Sequence, residues 1–120
     1  MTQEEIELVV KDLCGRLPYG VMCKRGERAR KVVYVKPYQL YAIGLDNGEY
    51  ISQEYTLEDV KPYLRPMSSM TEEERQEYGL VLCDELTINQ FDWLNRKMFD
   101  HRGLITIGLA LEAPKGVYNN

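Results

Sequence analysis

Residues 38 to 55 read Tyr38-Gln-Leu-Tyr-Ala-Ile-Gly-Leu45, then Asp46-Asn47-Gly48, then Glu49-Tyr-Ile-Ser-Gln-Glu-Tyr55. Asn-Gly is the dipeptide that most readily takes the two positive φ angles of a tight hairpin turn. The flanking runs are therefore predicted to be antiparallel strands. A second hairpin is predicted upstream, where Val21-Met22-Cys23 and Val32-Val33-Tyr34-Val35 flank a polar Arg25-Gly26-Glu27-Arg28 turn. Pro37 has no amide for a ladder, so it belongs at a corner or an edge. These strands give three or four antiparallel members of a twisted meander or partly open barrel.

The hydrophobic period changes on either side of this block. Residues 2–14 carry Ile6, Val9, Val10 and Leu13 at helical spacing, continued by Leu17. Thr2 with Glu5 makes a capping box at the start, and Gly15 with Pro18 predicts the end. Residues 56–71 read as irregular, because Pro62 and Pro66 prevent a long helix. There Thr56 with Asp59 is placed to cap a single turn, and Leu64 and Met67 read as anchors. Thr71 with Glu74 opens a second helix that is expected to stop at Gly79. Leu80-Val81-Leu82-Cys83 fits either a short strand or a buried turn. Thr87 with Gln90 opens a third helix, to about Phe99, with Ile88, Phe91, Leu94, Asn95 and Met98 on one face and Trp93 beside it. Asp100-His101-Arg102-Gly103 reads as a turn. Leu104 to Leu111 fits a strand or a helical turn capped by Asp100 and ended by Gly108. The tail from Pro114 is expected to fray.

The chain has 120 residues, 44% hydrophobic and 28% charged, which suits one domain with a core of its own. No run of about 18 apolar residues exists, so no membrane contact is expected. The start Met1-Thr-Gln-Glu-Glu is acidic and lacks the apolar stretch of a secretory signal, so the expected location is cytoplasmic. Cys14, Cys23 and Cys83 form no CxxC pair and read as structural thiols, Cys14 and Cys23 in apolar surroundings. Phosphate-loop, dinucleotide, zincin and nucleophile-elbow motifs do not occur in the sequence. No cofactor, metal ligand set or catalytic residue is assigned.

Fifteen basic against nineteen acidic residues leave a net charge of −4. Yet Lys24, Arg25, Arg28, Arg30, Lys31 and Lys36 crowd the first hairpin with only Glu27 among them. Basic side chains beside aromatic ones can follow a phosphate backbone and stack bases. The acidic block Asp46, Glu49, Glu54, Glu58 and Asp59 is an equally near partner for them. Tyr34, Tyr38, Tyr41, Tyr50 and Tyr55 populate both faces of the predicted sheet, and Tyr suits interfaces because it joins apolar area to a polar tip. Tyr34, Tyr38, Tyr41 and Tyr50 are the candidate partner-binding residues. Arg65, between Leu64 and Pro66, joins them, since its guanidinium can clamp a carbonyl, a carboxylate or a ligand phosphate. His101, the only histidine, has Asp100 before it and Glu112 near in sequence. With them it could serve as a general base, although a capping turn explains Asp100 more simply.

Three stretches carry a resemblance. They are Leu13-Cys-Gly-Arg-Leu-Pro-Tyr-Gly-Val21, Val60-Lys-Pro-Tyr-Leu-Arg-Pro-Met-Ser-Ser-Met-Thr71, and Phe99-Asp-His-Arg-Gly-Leu-Ile105 with Gly108-Leu-Ala-Leu-Glu-Ala-Pro114. The chain resembles a group of small uncharacterised proteins of bacteriophages and prophages of gut Bacteroidetes. That group shares an LPYGV start, a KPYLRPMSSMT centre and an FDYRGLI…GLA end. His101 departs from it, because Tyr is usual there. The resemblance implies a mobile-element context and no particular activity.

The expected architecture is α+β, a small antiparallel sheet packed by an N-terminal helix and one or two C-terminal helices. The expected function is that of a non-enzymatic accessory protein acting through protein contacts, with a homodimer as one form of such contact. The alternative is nucleic-acid binding through the basic hairpin.

Overall fold

The computed structural model describes residues 1–36, 42–46, 53–82 and 89–118. Helix α1 spans Gln3–Arg16 and opens on the expected box. The Glu5 amide donates to Thr2 Oγ1 at 3.1 Å, and the Thr2 amide donates to Glu5 Oε1 at 2.9 Å. Gly15 does not end the helix. A Cβ there would stand 2.9 Å from Asn95 Nδ2, so the missing side chain admits a neighbouring helix instead. The turn is made by Leu17–Tyr19, with Pro18 early in it and Gly20 left-handed at φ 82°.

Strands β1 (Met22–Arg25) and β2 (Arg28–Lys36) form the first hairpin around Gly26 and Glu27, as expected. Strands β3 (Ala42–Leu45) and β4 (Gln53–Thr56) are antiparallel, while Pro37 and the Asn47-Gly48 turn lie outside the described residues. Val32 pairs with Leu45 and Val35 with Ile43, with a register shift between Val32 and Tyr34. That irregularity keeps both valines on the core side of the sheet.

The stretch 56–71 is more ordered than its prolines suggest. Thr56 and Asp59 do close a single turn. Lys61–Leu64 then forms β5, pairing with β1 through Cys23–Pro62 and Lys24–Lys61. Proline's fixed φ suits extended backbone, and pairing with β6 (Leu111–Glu112) begins one residue later, at Tyr63. Leu64 is fully buried, whereas Met67 is exposed on a short 3₁₀ turn. Among the described residues the sheet order is β4-β3-β2-β1-β5-β6, antiparallel except for the β5–β6 pair.

Helix α2 (Glu72–Leu82) opens on the Thr71–Glu74 box and runs through Gly79, so Leu80, Val81 and Leu82 are helical. Helix α3 (Gln90–Arg96) is shorter than expected and is capped by Asn89, whose Oδ1 accepts from the Phe91 amide. Thr87, the expected cap, lies outside the described residues. Trp93, Leu94 and Asn95 form the buried face of α3, and Phe91 is exposed. Past α3 the Met98 amide donates to Asn95 O and the Phe99 amide to Leu94 O. This is a Schellman ending that places buried Met98, instead of a glycine, at φ 64°.

Two apolar clusters result. Val9 and Leu13 of α1 close the larger over Val21, Cys23, Val32, Ile43, Leu45 and Leu64. Met70, Val81, Trp93, Leu94 and Phe99 make the smaller one, with Trp93 stacked between Tyr78 and Phe99. Leu104 to Ala110 is settled as turns, and Leu111 enters β6. Both Asp100 carboxylate oxygens accept amides, from Leu104 at 2.8 Å and Ile105 at 3.0 Å, and Gly108 is left-handed. Nor is Tyr118 frayed: its hydroxyl donates to Tyr63 O at 2.6 Å and accepts from the Met22 amide at 2.9 Å.

Candidate functional site

Arg16, Arg65 and Asp100, one polar residue from each of the three stretches that carry the resemblance, gather around Phe99. Arg16 and Asp12 are both fully buried on α1, one helical turn apart. Arg16 Nε donates to Asp12 Oδ2 at 2.8 Å, and Nη2 reaches both Asp12 Oδ1 and Phe99 O. Arg102 Nε adds a bond to Asp12 Oδ1 at 3.1 Å. Arg65 approaches Phe99 from the other side, its guanidinium 4.1 Å from the ring centroid. It forks onto Glu74 at 2.7 and 2.8 Å, and this bonding holds the Glu74 carboxyl down at about 2. The Arg65 amide donates to Met98 O and the Asp100 amide to Arg65 O.

Arg65 is thus a clamp on a carboxylate inside its own chain, the structural use among those its sequence context offered. Sequence reasoning did not single out Asp12, Glu74 and Asn95 as members of this cluster. The Asp12–Arg16 spacing of four residues was the available clue, because it stacks the two side chains on one helix face. Glu74 was visible only as a cap, and in the fold it serves the cap and the clamp together.

His101 is half-buried, with Nε2 2.9 Å from Asn95 Oδ1 and its ring tilted against Phe91. Burial, then the Arg16 and Arg102 charges, lower its pKa. Its near partner is an amide, and Asp100 is engaged with two backbone amides. Cys23 is buried and its thiol is pushed up to about 12 by desolvation, whereas Cys14 is exposed, contrary to its apolar context.

Tyr34 lies on the outer face of the sheet, opposite Gly44, and its ring occupies the space a Gly44 side chain would need. Its hydroxyl donates to Glu54 at 2.7 Å, and Lys36 pairs with the same carboxylate at 2.8 Å. Tyr38, Tyr41 and Tyr50 lie outside the described residues.

The register divides the six hairpin cations between two faces. Arg30 pairs with core-facing Cys23, and Arg25 pairs with Arg28 two residues along, so these three arginines share the core-side face. Lys24, Lys31 and Lys36 belong to the outer face, where Lys61 of β5 stands directly opposite Lys24. Arg25 lies 4.4 Å from the Tyr55 ring centroid, although β2 and β3 separate their strands. The sheet therefore curls, and the arginines rim one end of its concave side.

Among the described residues, two surface cavities of about 110 and 180 Å³ are smaller than the roughly 300 Å³ at which small-molecule sites begin. Arg65, Ser69, Lys115 and Tyr118 line the first; Val9, Leu57 and Leu109 line the second. Among the described residues no cluster of His, Cys, Asp or Glu has the makings of a metal site, and no helix is long and apolar enough to cross a membrane. No family model, curated protein or solved structure matches the chain.

Proposed function

We propose that this chain is a non-enzymatic accessory protein of bacteriophage or prophage origin that acts by protein contact through the outer face of its sheet. One observation carries this reading. Arg16, Arg65, Asp100, His101 and Arg102, five polar residues of the three resembling stretches, are all engaged in bonds that hold the chain to itself. The outer sheet face, by contrast, presents the Tyr34 ring and exposed Val33. Strand β4 stands at the end of that sheet, the position from which strands of a second copy can be recruited.

The test is cross-linked capture from phage-infected or prophage-bearing cells, with wild type beside Val33→Asp and His101→Gln. The reading expects a discrete protein partner that Val33→Asp loses and His101→Gln keeps. Capture unaffected by Val33→Asp, or lost only with His101→Gln, overturns it. Sedimentation at micromolar concentration addresses the homodimer form, which a strict monomer removes.

A further inference from the structure

Beyond protein contact, we propose that the end of the β1–β2 hairpin binds the phosphate backbone of a nucleic acid, through Arg25, Arg28 and Arg30. Arg25 and Arg28 are direct cross-strand partners, and like charges placed so destabilise a hairpin. Arg30 stands on the same face two residues from Arg28, about 6.6 Å along the strand. That step is comparable with the separation of neighbouring phosphates in an extended nucleic-acid strand.

The fold makes little use of this charge. Among the described residues Arg28 and Arg30 form no ion pair, while Arg25 lies over the Tyr55 ring. On the opposite face Lys24, Lys31 and Lys61 repeat the sign, with Lys24 and Lys61 in register. A chain of net −4 therefore carries a positive pole on both sides of one hairpin, which orients an approaching polyanion before contact. Guanidinium forks match phosphate oxygens two at a time, which lysines alone would not do. Three guanidinium groups at two levels along the hairpin favour a ligand with more than one phosphate over an isolated anion.

The experiment is fluorescence anisotropy with labelled oligothymidine, the same length of duplex DNA, and polyglutamate, each over a salt series. The proposal expects one or both nucleic acids to bind, with log affinity falling against log salt by about 0.7 per neutralised phosphate on a single strand and about 0.9 on a duplex. Comparing the two nucleic acids identifies which form the site takes. Arg28→Glu/Arg30→Glu should weaken binding at least about tenfold and flatten the slope by more than one. Lys11→Glu/Arg96→Glu makes the same change in net charge away from the hairpin and should weaken binding far less. Arg28→Gln/Arg30→Gln, with its fold checked by circular dichroism, should also weaken binding, and it does so without reversing the charge.

Equal losses in the two Glu variants overturn the proposal, and so does unchanged binding in the Gln variant. Binding of polyglutamate with neither nucleic acid also overturns it, and leaves the protein-contact reading standing. Protein capture lost through Val33→Asp while nucleic-acid binding persists would instead separate the two surfaces and support this one.

Discussion

Asp12 accepts from two arginines in a place where none of its own surface meets water. Removing one partner of a buried ion pair costs far more than the pair itself contributes, because the remaining charge is left without compensation. Asp12→Ala is expected to destabilise the fold by about 3–5 kcal/mol, read as a lower urea midpoint at unchanged slope. Glu74 adds a pH dependence. Its folded pKa lies near 2, below the ordinary 4.5, so its contribution is full above pH 4.5 and is lost as pH falls through 2. Up to about 3 kcal/mol should disappear over that window, and Glu74→Gln should abolish this part of the acid limb. His101 titrates in the same direction but higher. Its lowered pKa makes neutral imidazole the stabilising form, present above 6.5 and lost on acidification. His101→Gln should flatten the pH-stability curve as pH falls below about 6.5, without touching the Glu74 limb.

At the scale of elements, the starts were more legible than the ends. Thr2 and Thr71 begin their helices as their capping boxes predict, because a cap depends on residues within one turn. Gly15 and Gly79 suggested stops and proved to be interior, since a glycine costs a helix only about 1 kcal/mol and packing outweighs it. At Gly15 that packing is the Asn95 side chain of α3, far along the chain and invisible to any local rule. Gly44 is the counterpart in the sheet. With the Tyr34 ring over it, Gly44→Ala should cost about 1–3 kcal/mol, and much less in a Tyr34→Ala background. A double-mutant cycle in urea measures the difference, and strict additivity would refute the contact.

For the whole molecule, the C-terminal segment shows why a frayed tail was the natural expectation. Nothing near Tyr118 in sequence signals order, yet its hydroxyl serves Met22 and Tyr63, on strands 96 and 55 positions earlier. Tyr118→Phe leaves that amide and carbonyl without the hydroxyl and should cost about 1–3 kcal/mol, with faster amide exchange at Met22. The α+β class, the N-terminal helix, the first hairpin and the β3–β4 pairing followed from sequence alone. Each rests on periodicity, caps or turns whose physics acts within a few residues. The parallel β5–β6 edge, the Schellman turn at Met98 and the clamps around Phe99 did not. Nor did the division of six neighbouring cations into an arginine face and a lysine face. Those features arise where distant segments meet. Burial and strand register then decide which charge finds a partner, and only the folded chain brings the partners within bonding distance.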